Sequence, residues 1–318
     1  MSTTTEAGGP GSGTPETAGP ASATAGTKRP AEPTGRTAGS LGAMISAELT
    51  KLLRRPATWV LLGLWPALQL VFSTVIPYVS YQRGASFEGL PPEAVLASML
   101  PDQLVLNSLS GLPLFGGALL LTLGALLAGS EYGWGTLKTL LGQGPRRLQV
   151  LAAQLLALLV VLAVAVLVSF ALTALASGAI AAGESAAADW PTAGRLLRGL
   201  GGGLLIAATW GALGLLLGHA LRSTALPIAL GLVWVLAVEN LIVNVAAPLL
   251  GAFDAAQAAL PGVNAGSLVA ALAGPGAALR TPGVAAIVDG TQAAWVLAGF
   301  LVLFTALTGV LLTRRDVV

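Results

Sequence analysis

Few residues in this sequence could do chemistry, and the most conspicuous is Glu239, a carboxylate inside an otherwise apolar run. Asn240 stands beside it and Asn244 about one helical turn further on. Insertion scales charge about 2.5 to 3.5 kcal/mol for an ionisable group at mid-helix, so Glu239 must face protein, be paired or be protonated. Arg198, at the start of the preceding, antiparallel run, is the in-chain partner that the order of segments suggests. An ion pair, a substrate contact and proton coupling are the three roles open to the carboxylate. The single histidine, His219, precedes Arg222 at the end of its run, where a cation complements the helix dipole.

Other chemistries lack their residues. One histidine and no cysteine leave no multi-histidine or thiolate metal site. There is no G-x-x-x-x-G-K-[ST] string, so the chain is not expected to bind ATP itself. Gly133 with Gly135, and Gly142 with Gly144, lack the third glycine of a dinucleotide fingerprint. No H-E-x-x-H or G-x-S-x-G pattern occurs, and Glu88, Glu93, Asp102, Glu184 and Asp189 share no spacing. No catalytic, cofactor-binding or metal residue is therefore assigned.

A second polar feature is the stretch 131–147, EYGWGTLKTLLGQGPRR, between two long apolar runs. Leu137, Leu140 and Leu141 fall at i, i+3 and i+4 and make one apolar stripe. Gly144-Pro145 then stops the helix. A segment that is half apolar and basic at its end should lie in the headgroup plane, within reach of a soluble partner.

The elements that position these residues belong to a membrane. Of the 318 residues 55% are hydrophobic and 9% charged, against about 25% charged in soluble domains. Six runs are long enough to cross a core of about 30 Å: 57–79, 104–128, 150–177, 200–217, 225–247 and 293–312. The expected fold is all-α and polytopic, with a disordered tail over 1–40 and one six-span transmembrane domain over 41–318. Leu41, Met44, Ile45, Leu49, Leu52 and Leu53 recur at helical spacing against Glu48, Lys51, Arg54 and Arg55. This is the pattern of an interfacial elbow helix whose basic residues face anionic headgroups.

Basic residues near the span ends set the orientation. Lys51, Arg54, Arg55, Lys138, Arg146, Arg147, Arg222, Arg314 and Arg315 collect on one side, whereas Arg83, Arg195, Arg198 and Arg280 lie on the other. The positive-inside rule puts the first set, both termini and the 131–147 stretch in the cytoplasm. Gly211, Gly214 and Gly218, together with Gly124, Ala125 and Ala128, predict close helix contact. Pro66 and Pro113 predict kinks, and Trp59, Trp190, Trp210, Trp234, Trp295 and Tyr78 suit membrane interfaces. The apolar segment 248–292 predicts re-entrant helices over 253–260 and 267–272, separated at Pro261-Gly262.

Glu131, Tyr132, Gly135, Thr136, Lys138, Leu141, Gly144 and Arg147 follow an E-Y-x-x-G-T-x-K-x-x-L-x-x-G-x-x-R string. In this the chain resembles permease subunits of ABC transporters of the type-2 exporter family. The likeness extends over about 41–318, through 48–56, 215–224, 239–241 and 314–316. It departs at Gly133 and Gln154, where relatives often carry basic residues. The resemblance implies that the string is a coupling helix docking on a separate cytoplasmic ATPase in two copies, which would hold ATP and Mg. It also implies a second permease copy or a sibling, membrane lipid but no nucleic acid as partner, and a multi-pass place in the bacterial plasma membrane. The expected function is export. Two alternatives stand beside it: an ion-coupled secondary carrier using Glu239, and a membrane scaffold that transports nothing.

Overall fold

The computed structural model describes residues 40–133, 146–250, 254–274 and 281–314. Most of the expected tail, and Gly135, Thr136, Lys138, Leu141 and Gly144 of the string, lie outside the described residues. What is described is helical, with no β-strand among the described residues.

Six helices are long and apolar enough to cross a membrane: span 1, Pro56–Gln82; span 2, Pro101–Gly133; span 3, Arg147–Gly183; span 4, Ala193–Leu221; span 5, Ala225–Leu249; and span 6, Gly290–Arg314. Each overruns its apolar run at one or both ends, because capping residues and not hydropathy stop a helix. Pro56 opens span 1 at a position where a missing N–H costs nothing. The Thr192 side chain accepts from the Arg195 N–H at the start of span 4. Asp289 accepts from the Thr291 and Gln292 N–H groups at the start of span 6, which holds its carboxyl below the usual range.

The elbow helix, Leu41–Leu53, begins on Ser40, whose hydroxyl accepts from the Ala43 N–H at 3.3 Å. It lies against span 3 and span 1. Ile45, Leu49 and Leu52 join the core, whereas Leu41 and Leu53 are exposed.

Span 2 is the centre of the bundle. Its apolar window is 67% buried, against 17% for span 1 and 22% for span 5, so the last two present most of their surface outward. Spans 2 and 4 make the most extensive contact in the chain, and the small residues noted above form it. A methyl group added at Gly124 would land on the Gly211 carbonyl, one at Gly214 on the Leu121 carbonyl, and one at Gly218 on the Ala128 side chain. Backbones this close gain dispersion contacts that larger residues would forbid.

Span 2 is interrupted where proline and glycine meet. After Ser110-Gly111 the chain makes a π-turn over Leu112–Gly116, closed by a Gly116 N–H to Gly111 carbonyl bond of 2.7 Å. Pro113 has no N–H to give and crowds the preceding turn, which accounts for the wider turn. Trp65 of span 1 packs on Gly116, and Trp210 of span 4 on Gly117. Trp210 is thus a core side chain, 1% exposed, and not an interfacial anchor. Trp59 and Trp295 are exposed, as an interfacial ring would be.

Between spans 5 and 6 the re-entrant segment differs from expectation. Asp254–Ala258 is a short helix, but the second helix runs Pro261–Ala273. Pro261-Gly262 starts this helix instead of separating two, because proline at N1 is pre-set for helix entry. It is largely buried against spans 4 and 6 and the broken part of span 2.

Candidate functional site

Among the described residues, two polar clusters hold the residues singled out above, one at the elbow end and one in the other half of the bundle. The first gathers where the elbow helix meets the last turn of span 2. Lys51 lies between two carboxylates, donating to Glu48 Oε1 and Glu131 Oε1 at 2.6 Å each. Glu131 is 1% exposed. Arg55 donates to the Leu126 carbonyl at 3.1 Å and adds its field to both acids. Lys51 and Arg55 therefore turn into the protein and do not face headgroups. Glu48, Lys51 and Leu52 share one face of the elbow helix, Arg55 follows in the extended turn before span 1, and the buried acid at 131 lies opposite them.

Burial pushes the Glu48 carboxyl above its ordinary 4.5, although hydrogen bonding and charge from Lys51 oppose this. For Lys51, burial works against the charge, but the bonds from Glu131 and Glu48 prevail and raise it. Both shifts make stability fall as pH rises, in different windows. Lys51 contributes stability that is fully present below the ordinary lysine value and lost only in strong alkali. A carboxyl raised on folding binds more protons folded than unfolded, so stability falls as pH rises from about 4.5 through the raised value. Glu48→Gln is expected to remove that slope. Melting temperatures of wild type and variant between pH 4.5 and 8 would check this, and a parallel pair of curves would refute it.

The adjacent residue starts a second chain of bonds. Tyr132 Oη lies 3.1 Å from His219 Nδ1 of span 4, and His219 Nε2 lies 2.9 Å from Gln154 Oε1 of span 3. One ring nitrogen meets the tyrosine hydroxyl and the other the Gln154 amide. His219 is thus a buried connector and not an exposed dipole cation; it is 1% exposed. Arg147, at the start of span 3, donates to the Leu312 carbonyl at 2.8 Å and so covers an orphan acceptor at the end of span 6. Glu131, Tyr132 and Arg147 are brought to one end, fastened to the elbow helix and to spans 3, 4 and 6.

In the other half of the bundle, inside span 5, stands Glu239. Span 5 makes π-turns at Trp234–Val238 and Ile242–Ala246, one on each side of it. Glu239 Oε1 accepts from Trp234 Nε1 at 2.7 Å, and the Gly262 N–H, at the start of the re-entrant helix, faces the same carboxylate. Arg198 is elsewhere: its Nε donates to the Gly194 carbonyl of its own helix at 3.2 Å. The expected Glu239–Arg198 pair is not formed. An indole and a helix N-terminus hold the carboxylate instead, since the re-entrant helix reaches it first. The Asn244 Nδ2 group donates to the Asn240 carbonyl, which keeps both amides on the same stretch.

Sequence reasoning missed Lys51, Gln154 and Gly262. A signal existed for the first, because Glu48 and Lys51 at i and i+3 form a pair on a helix otherwise read as interfacial. No local signal marked the others.

An all-helical bundle of six apolar spans defines a multi-pass membrane protein. The chain belongs to the ABC-2 transporters: the family model described as "ABC-2 family transporter protein" matches residues 44–238, more than half of the 318. The match runs from the elbow helix into span 5 and stops one residue before Glu239. No curated protein matches the chain. In this family the chain is the permease, the membrane part of a transporter, and not itself the catalyst.

Proposed function

We propose that this permease is the membrane half of an ATP-driven exporter in the bacterial plasma membrane. It pairs with a second permease copy or a sibling and is worked by two copies of a separate ATPase that docks on the stretch 131–147. The elbow end is cytoplasmic in this reading, and both termini lie there. The observation that supports it best is the joint at Glu131-Tyr132. A push on the segment that follows is carried by Lys51 into the elbow helix and by His219 and Gln154 into spans 4 and 3. Rigid elements with few soft contacts between them are what a lever needs.

The absence of cysteine makes the test direct. Lys138→Cys should react in intact cells with a membrane-permeant maleimide and not with an impermeant one. A P-loop ATPase encoded in the neighbouring reading frame and co-expressed should copurify with the wild type, and be lost with Lys138→Glu plus Leu141→Asp. Labelling by the impermeant reagent, or an ATPase retained by the double variant, would overturn the docking assignment.

A further inference from the structure

The Glu239 carboxylate lines one cavity, and the indole that bonds it walls a second of different character. One, of about 120 Å³, is lined by Glu239, Asn240, Asn244, Pro113, Val243 and Gly262 among others. Its walls come from the break in span 2, the π-turns of span 5 and the start of the re-entrant helix. It has room for roughly four waters at about 30 Å³ each, the scale of a small head group. The other, of about 650 Å³, is apolar and lined by Leu213, Leu217, Leu230, Trp234, Phe300 and Phe304. Trp234, the indole that bonds Glu239, walls the second cavity, and Pro261 beside Gly262 walls it as well.

Charge selects the occupant. Among the described residues Glu239 is the one charged side chain lining either cavity. It is 5% exposed, and its hydrogen bonds come from Trp234 and Gly262. Trp234 and Gly262 give its oxygens hydrogen-bond donors but no full positive charge. A buried carboxylate without a counter-ion is the costly half of an ion pair. A cation entering the small cavity would complete the pair, and the apolar chamber alongside would take a hydrocarbon tail.

We propose that Glu239 binds the ammonium head of a lipophilic monocation, with the tail in the Trp234–Phe304 chamber. This makes single-chain cationic amphiphiles the cargo class, and in that sense it rests on the transport reading above. Asn240 and Asn244 are polar neighbours of the head, and Val243 limits its size. Glu239→Gln keeps an acceptor for Trp234 and Gly262, so it removes the charge with little change of shape.

The experiment uses the full-length permease in nanodiscs, without any ATPase, and radiolabelled dodecyltrimethylammonium below its micellar concentration. Empty nanodiscs provide the blank. Saturable binding is expected, weakened at least tenfold by Glu239→Gln and by Val243→Phe, which adds bulk to the head cavity and keeps the carboxylate in the chain. Unlabelled 1-dodecanol, with the same tail and no charge, should not displace the label. Melting temperature shows whether each variant is folded, and Val243→Phe decides if Glu239→Gln is not. Equal affinity in a folded variant, displacement by the alcohol, or no saturable binding would overturn the proposal. Because no ATPase is present, binding can fail while the ATPase still docks, and docking can fail while the cation still binds.

Discussion

Lys51→Met is expected to destabilise the permease by about 3 kcal/mol, the lower end of what breaking a buried ion pair costs. The lower end applies because the Lys51 side chain is 31% exposed, whereas those of Glu48 and Glu131 are 5% and 1%. The loss arises less from the missing attraction than from two carboxylates left facing one another without their common cation. A second substitution should therefore repair the first. Lys51→Met combined with Glu131→Gln should recover a large part of the loss, giving a coupling energy that a double-mutant cycle reads directly. Melting temperature of the detergent-solubilised protein is the measure for all three variants. Transport should behave otherwise. With the elbow helix no longer tied to the root of the loop, the double variant should stay folded yet lose export while ATP is still hydrolysed. Additive losses in the cycle would show that Lys51 holds the two acids independently and that no joint exists.

The other large effect is expected where spans 2 and 4 cross. Gly214→Val should lower stability by about 3 kcal/mol, the upper part of the range for overpacking. Its first side-chain carbon would meet the Leu121 carbonyl and the Ala125 nitrogen, which are backbone atoms that cannot rotate away. Gly124→Val should do the same from the opposite helix, since its methyl meets the Gly211 carbonyl. Gly299→Val in span 6 is the control, for nothing lies within 4 Å of a carbon added there. The fraction of monodisperse protein on gel filtration should fall for Gly214→Val and Gly124→Val and hold for Gly299→Val. If Gly214→Val ran like the wild type, the two helices would be shown to cross elsewhere.

Much of this architecture is legible along the chain, because a membrane span is specified by consecutive residues. Twenty apolar side chains in a row need no distant partner to declare themselves. Gly211, Gly214 and Gly218 announce a close approach in the same way, by spacing alone, though not which helix approaches. Proline is harder to read. Pro113 marks the break in span 2, yet Pro261 opens a helix where a break was expected, and the difference lies in whether a preceding turn exists to be crowded.

Polar residues carry little of that local information. The resemblance to ABC-2 permeases marks Glu131, Tyr132 and Arg147, but only as members of a string. Their partners stand far off: Lys51 is 80 residues from Glu131, and His219 is 87 from Tyr132. Glu239 shows the limit most clearly. Its burial inside a span predicts that something must hold it, and charge suggests Arg198. The re-entrant helix supplies the Gly262 N–H instead, while Arg198 bonds its own helix.

By itself the sequence determined six apolar rods, the helix that precedes them, the polar interruption after the second and the cost of a carboxylate in the fifth. Only the tertiary structure decided how far each rod is turned about its axis, and with it which polar groups meet. That rotation is set by glycine contacts and by the re-entrant helix wedged among spans 2, 4 and 6. Hydropathy of a segment is a sum over its own residues, whereas an ion pair depends on the relative placement of two segments.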